Sequence, residues 1–399
     1  MAESFGELLR GHRVAAGLSL TRMAALVNYD KSYLSKIENG LKPPQTALAR
    51  RCDAELEAGG ALVEAARAVS DRAAGPTLDR RQILMGGTML GLTFAGGPRP
   101  EPNEQVVAWL RTSFESLREL GKQASPVLVL EPLVAQVRTV HALAGETPEP
   151  TRSRLLLLAA RIAEYTGWMS QEAGDEQGAL QWTNCASELA SAGGDQEIAS
   201  YAFVRKAGLA LYRQDSISTV ELAQRAQLND RVGPRTLALA ARREAQGHAL
   251  TGDRDSYERA LDRAITLIDS AGRETRAYPV LGSTAPDPIE LANGWSLCDL
   301  GRPREAAAVL DHALTRLPTS ARRSRARFGV RRSLAHAMSG EVDQSCLTLT
   351  DVLDDVAQVD SATVRMDLRQ LASTLGRWHT HRAVREIHPE LRRVLRQQI

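Results

Sequence analysis

The chain has 399 residues, enough for two or three domains at the usual ~100–200 residues each, so a single small fold is excluded. With 43% hydrophobic and 25% charged residues, Gly 30 and Pro 17, the composition also excludes a disordered, collagen-like or low-complexity chain. Lys+Arg 50 against Asp+Glu 48 leaves a formal +2, so any nucleic-acid partner must be held by a local patch and not by the field of the whole molecule.

Aromatic residues are only 4% and alanine is abundant, which favours helices packed through small side chains, and an all-α protein is expected. The start, Met1-Ala2-Glu3-Ser4-Phe5, has neither a basic n-region nor an apolar h-region, so no export signal is expected there. Ser4-Phe5-Gly6-Glu7 reads as a capping box that opens a first helix, which Gly17 ends after Ala16. Ser19 caps a second helix, Leu20 to Val27, and Asp30 caps a third, Lys31 to Glu38, with Asn39-Gly40 as a left-handed stop. Ala24 is small where helices must approach closely, while Val27, Leu34 and Ile37 fall on a core face. Pro43-Pro44 then breaks the chain before a fourth helix, about Thr46 to Leu56, and Gly59-Gly60 precedes a fifth, about Ala61 to Val69.

In the stretch GHRVAAGLSLTRMAALVNYDKSYLSKIENGLKPP, residues 5 to 56 resemble the helix-turn-helix of the phage-repressor and Cro type, the XRE family. The resemblance implies that the third helix enters the major groove of double-stranded DNA. Lys31 and Ser32 then take base-reading positions, Lys36 the one a turn later, and Tyr33, Ser35, Asn39 and Lys42 contact the backbone. Arg13 and Glu38 match the family's internal ion pair, and Asp30 is read as a cap and not a base reader. Leu20 departs from the usual Gln that donates to a phosphate, which weakens the expected affinity per half-site. The charge of this segment agrees with a DNA contact: residues 1–51 hold eight Lys/Arg and four Asp/Glu, and three of the chain's five lysines lie between 31 and 42.

Arg80-Arg81 followed by Ile83 to Gly97 looks like an internal twin-arginine signal, but it begins after an apparently folded domain. It is also shorter than the ~20 residues of a membrane helix, so it reads as a buried linker helix over 83–95. Four cysteines, Cys52, Cys185, Cys298 and Cys346, form no C-x-x-C pair and have no histidine at metal spacing, which reads as a reduced, cytoplasmic chain.

From about Glu101 onward, helix-length apolar segments are separated by turns at Gly174-Asp175, Gln214-Asp215, Gly252-Asp253, Gly301-Arg302 and Gly340-Glu341. Three of the four intervals are about 40 residues, and the longer one carries the insertion Gly272 to Pro286. Counting back from each turn by a fixed offset gives Gly167, Ala207, Ala245, Gly294 and Ser333, and counting forward gives Ala186, Ala226, Ala264, Ala313 and Val352, the small residues that crossing helices require. The segment LCDLGRPREAAAVLDHALTRLP (297–318) resembles a tetratricopeptide repeat, with Ala306, Ala313 and Pro318 at the matching positions. Tyr257 and Arg332 depart from that pattern, and helices from about 103 to 144 and from 360 onward are expected to cap the array. The resemblance implies a concave side that carries Arg161, Trp168, Tyr201, Tyr212, Arg242, Gln246, Trp295, Asp299 and Arg327. Aromatic platforms and arginine forks suit an extended peptide with a carboxylate; the same residues also suit ordinary helix packing. The arginine run 322–332 reads as a solvated face, or as an anion clamp or second DNA contact.

No nucleotide-loop, dinucleotide, zinc-protease or serine-hydrolase motif occurs, so neither catalytic residues nor a cofactor are expected. His379, His381 and His388 lack a fourth ligand and are expected to be surface residues, with no metal bound. The fold expected is all-α, a five-helix repressor-type domain followed by a right-handed tetratricopeptide-like α-solenoid. Its divisions are 1–72, a linker with the apolar helix at 73–100, and the repeats at 101–399. The architecture resembles actinobacterial regulators that join these two parts and, more distantly, the Gram-positive peptide-pheromone receptors of quorum sensing. It implies a dimeric, non-membrane transcriptional regulator whose array senses a peptide or small ligand; the alternative is a scaffold or anti-activator that binds another protein through the array.

Overall fold

The computed structural model describes residues 5–66, apart from 28, 30, 40–43, 45 and 57, and residues 104–396, apart from 230 and 272–286. Among the described residues the regular elements are all helical, and the chain divides into two compact units, Met1–Thr93 and Phe94–Ile399. The expected linker helix at 83–95, Ser4, Asp30, Lys42 and the insertion after Ala271 lie outside the described residues.

The first unit contains α1 (Phe5–Ala15), α2 (Leu20–Val27), α3 (Lys31–Glu38) and α4 (Thr46–Glu55), and residues 61–66 are helical. Ser19 Oγ accepts from the amide of Arg22 at 3.2 Å, which opens α2 as an N-cap. The carboxylate of Asp53 accepts from the amides of Gly60 (2.8 Å) and Leu62 (3.0 Å), which fixes the start of the last helical turns. Leu9, Met23, Val27, Leu34, Ile37, Leu48 and Leu62 are fully buried together, each contributing about 1.5–3 kcal/mol of apolar burial. Leu20, where the repressor family has a polar residue, packs against this cluster.

The second unit is a succession of helical hairpins: α5 (Glu104–Gln123) with α6 (Val127–Gly145), α7 (Thr151–Ala173) with α8 (Glu176–Ala192), and α9 (Gln196–Tyr212) with α10 (Ser216–Gln227). They continue as α11 (Pro234–Thr251) with α12 (Arg254–Ala271), α13 (Pro288–Asp299) with α14 (Pro303–Thr315), and α15 (Arg322–Met338) with α16 (Val342–Thr350). The chain ends with α17 (Leu353–Val359), α18 (Ala362–Leu375) and α19 (Arg382–Arg396).

Five of these hairpins turn in the same way. Gly174, Gln214, Gly252, Gly301 and Gly340 are left-handed, with φ of 88°, 59°, 75°, 71° and 83°. The amide of the following residue donates back to the carbonyl five positions earlier, Asp175 to Ser170 and Asp253 to His248 among them. Where that residue is aspartate, its side chain also opens the next helix: Asp175 accepts from Gly178 N at 2.8 Å, Asp215 from Ser218 N at 3.0 Å and Asp253 from Ser256 N at 3.1 Å. One dipeptide thus stops one helix and starts the next, which is why the turn positions carry the repeat signal. The small residues before and after the turns lie where the two helices cross, with Ala207, Ala226, Ala264 and Ser333 fully buried.

The C-terminal helices do more than cap the array. Helix α18 packs on α15 and also on α7, and α15 touches α5, so the last hairpins meet the first and the repeat unit closes on itself. Helix α19 buries Val384, Ile387, Leu391 and Val394 along one stripe at helical spacing. By length and composition α6 is apolar enough to cross a membrane; here it packs against α7 with Val129, Leu133, Val137 and Val140 buried.

Candidate functional site

In the first unit α3 divides its faces cleanly. Leu34 and Ile37 are buried in the core, while Lys31 and Lys36 are exposed. A side chain on Gly6 would meet the carbonyl oxygens of Ile37 and Glu38 at 2.7 and 2.6 Å, so only glycine lets α1 approach the end of α3 this closely. That approach sets up the ion pair. Arg13 Nε donates to Glu38 Oε1 at 2.6 Å and Nη2 to Oε2 at 2.9 Å, and Nη1 reaches the carbonyl of Leu18 at 2.8 Å. The paired carboxylate, as hydrogen-bond acceptor and charge, outweighs partial burial and raises the Arg13 guanidinium above its usual range. The third helix is therefore locked to the turn between α1 and α2.

Tyr33 is half-buried and stacks on Tyr29 with centroids 5.7 Å apart, and the guanidinium of Arg51 lies 5.9 Å from the Tyr29 ring. Asn39 folds back on α3, its Nδ2 donating to the carbonyl of Ser35 at 2.8 Å. Of the seven residues expected to contact DNA, Lys31, Tyr33, Ser35, Lys36 and Asn39 thus lie on or just after one exposed helix. Ser32 belongs to the same helix, and Lys42 lies outside the described residues.

In the second unit the first helices of the hairpins surround a cavity of about 110 Å³. Seven of the nine expected ligand residues line it: Trp168, Tyr201, Tyr212, Arg242, Gln246, Trp295 and Arg327. Arg161 and Asp299 do not. Two helical turns before Trp168, Arg161 is level with Asp195, whose carboxylate comes within 4.0 Å; Asp299 ends α13 and is exposed. Lining residues that the sequence did not single out include Arg118, Lys122, Tyr165, Arg205 and Arg243, while Arg323 comes from the arginine run 322–332. Arg205 and Arg243 are within a turn of Tyr201 and Arg242 and share their signal. Arg118 and Lys122 belong to α5, expected to be a cap, and only closure of the unit brings them here.

The arginine run 322–332 is not a solvated face. Its guanidiniums pair with carboxylates of this chain: Arg322 and Arg325 with Asp355, Arg323 and Arg327 with Glu172, Arg331 with Asp367, and Arg332 with Asp351. The reason is packing: α15 lies against α5, α16, α17 and α18 and reaches Glu172 of α7, so that acids or backbone acceptors face its arginines. Glu172 is fully buried and also accepts from Ser361 Oγ at 2.6 Å. Burial works against its ionised form, but Arg327, Arg323 and Ser361 outweigh that and hold the carboxyl at about 2.

Residues 4–66 match the family of the helix-turn-helix domain. No curated protein matches the chain. The first unit is a helix-turn-helix DNA-binding domain, and this fold and site define the class, a DNA-binding regulator with a helical repeat-like second domain.

Proposed function

We propose that the protein is a sequence-specific transcriptional regulator of the cytoplasm, acting as a homodimer, whose repeat domain senses a small molecule or peptide and sets DNA affinity. The observation that carries this reading is the pairing of two features in one chain: α3 presents Lys31 and Lys36 outward, and the repeat domain encloses an arginine- and aromatic-lined cavity. A repressor-type domain reads two half-sites a helical turn or a multiple apart, so a change in dimer geometry is enough to control binding. The first helices of successive hairpins all line the cavity, so a ligand that touches several of them can favour one packing of the domain over another. The tetratricopeptide-like repeat pattern and the distant likeness to pheromone receptors agree with a sensing role, and no enzymatic activity is proposed.

The test is gel retardation of upstream DNA with the full chain, with and without extract of native culture. Sequence-specific retardation that the extract changes supports the reading. No specific shift down to about 50 mM salt favours instead a scaffold or anti-activator acting through the repeat domain. Arg242→Ala is expected to abolish the response to extract and leave basal DNA binding intact. Arg327 is the less suitable variant, because it also holds Glu172.

A further inference from the structure

We infer that the cavity of the repeat domain is a site for a compact dianion with a flat ring, a phosphate monoester or dicarboxylate of about ten heavy atoms, held between Arg242 and Arg243. The inference rests on the sensing reading above and sharpens it, replacing an extended peptide by a small enclosed ligand.

Charge is the first argument. Among the described residues that line the cavity, seven side chains are cationic and Glu164 is the one carboxylate. Most of these cations already face an acid: Lys122 pairs with Glu119 at 2.7 Å, Arg205 lies 3.9 Å from Glu164, and Arg323 and Arg327 share Glu172. Adjacent on α11, Arg242 and Arg243 have no carboxylate partner among the described residues. Arg242 reaches only the carbonyl of Pro288, at 3.4 Å, and Arg243 the side-chain oxygen of Gln246, at 2.8 Å. Two unpaired guanidiniums call for two negative charges.

The second argument is unspent hydrogen-bonding capacity. Among the described residues, the Nε atoms of Arg242 and Arg243, the Tyr212 hydroxyl and Gln246 Nε2 are all buried without a hydrogen-bond partner, and all four residues line the cavity. Buried donors are ordinarily satisfied, and a cluster around one cavity marks where an acceptor-rich group sits. Burial lowers both guanidiniums below their usual range, Arg242 to about 10 with the neighbouring cations Arg235 and Arg327 adding to the effect, and Arg243 with Arg242 and Arg205 adding to it.

The third argument is shape. Tyr212 meets Trp295 edge to face at 5.3 Å, Tyr165 meets Trp168 in the same way at 5.5 Å, and Leu291 and Phe328 complete an apolar wall. These surfaces receive a ring, while about 110 Å³, against the roughly 10–15 Å³ that one water needs, limits it to one small ring with its anionic group. Closure of the unit through Arg323, Arg327 and Glu172 removes the open groove that an extended peptide requires.

The test titrates the full chain by calorimetry and thermal melting with phenyl phosphate, benzene-1,3-dicarboxylate, inorganic phosphate and, as a neutral control, benzyl alcohol. Expected is saturable binding of at least one ringed dianion, at least tenfold tighter than inorganic phosphate, with a raised melting temperature and no effect of benzyl alcohol. Whichever of the two ringed anions binds tells phosphate from dicarboxylate. Arg242→Gln and Arg243→Gln should each weaken binding at least tenfold while the unliganded protein melts at the same temperature or higher, because an uncompensated buried charge is gone. Tyr212→Phe, which removes only a hydroxyl, should weaken binding without changing the fold. Absence of binding by both ringed anions at about 1 mM, or binding unchanged in Arg243→Gln, overturns the inference. DNA affinity measured on the same samples separates it from the sensing reading. Anion binding that leaves DNA affinity unchanged keeps the site and sinks the sensor; intact specific DNA binding without anion binding sinks the site alone.

Discussion

Arg323 donates through Nη1 to Glu172 at 3.1 Å, although 151 residues separate them, and through Nε to the carbonyl of Gly121 at 2.9 Å. One guanidinium thereby ties α15 to both the first and the second hairpin and closes the repeat domain. Arg327, Ser361 and Thr363 converge on the same carboxylate. Glu172→Gln should destabilise this domain by about 3–5 kcal/mol, since two buried guanidiniums lose their counter-charge. Denaturant melts followed by tryptophan fluorescence should register the loss; an unchanged midpoint would mean that closure does not depend on the pair.

The same carboxylate predicts an acid limit. An unfolded glutamate titrates near about 4.3, and in the fold Glu172 is held at about 2. The folded state therefore binds fewer protons, so the stabilisation is fully present above about pH 4.3 and is lost as pH falls towards 2. Stability of the repeat domain should decline over that window, and Glu172→Gln should show a flatter profile there. Parallel profiles would place the acid sensitivity elsewhere.

In the first unit, Arg13 and Glu38 have side-chain exposures of only 12% and 7%, so removing the arginine leaves a poorly solvated carboxylate. Arg13→Ala should cost this domain about 3–5 kcal/mol. Amide-exchange protection at Leu34 and Ile37 should drop accordingly, with that of the repeat helices unaltered.

Lys31→Ala should reduce specific over non-specific DNA binding by about 1–3 kcal/mol, through loss of a base-edge contact. Lys42→Ala, read as a phosphate contact, should weaken binding to all sequences and lower the salt slope by about one unit. Equal losses of specificity in both variants, measured by fluorescence anisotropy over a salt series, would displace α3 from the reading role.

Two glycines separate steric from conformational cost. A methyl group on Gly294 would lie 2.5 Å from Leu310 Cγ, inside the crossing of α13 and α14, whereas at Gly252 it meets nothing within 4 Å but sits at φ +75°. Gly294→Ala should cost about 1–3 kcal/mol by overpacking and be partly rescued by Leu310→Ala. Gly252→Ala should cost about 1–2 kcal/mol, with no neighbour able to relieve it. Thermal melts of the single and double variants decide between these origins.

Local rules written in neighbouring residues determined much of this protein. Ser19 and Asp175 cap because a side-chain oxygen next to a helix start accepts its first amides, and Gly174 or Gly252 stops a helix because the left-handed turn needs no distant partner. The exposed lysines of α3 and the buried Leu34 and Ile37 follow from 3.6-residue periodicity in the same way. Closure of the repeat domain had no such signal. It depends on Glu172 meeting Arg323, Ser361 and Thr363 across 151 to 191 residues, and on the sum of many small rotations between hairpins. Only the tertiary structure therefore turned the arginine run of α15 from an apparent surface into an internal clasp, brought Arg118 and Lys122 to the cavity, and left Arg242 and Arg243 there with no acid partner among the described residues, because burial and charge compensation belong to the assembled packing and not to any one helix.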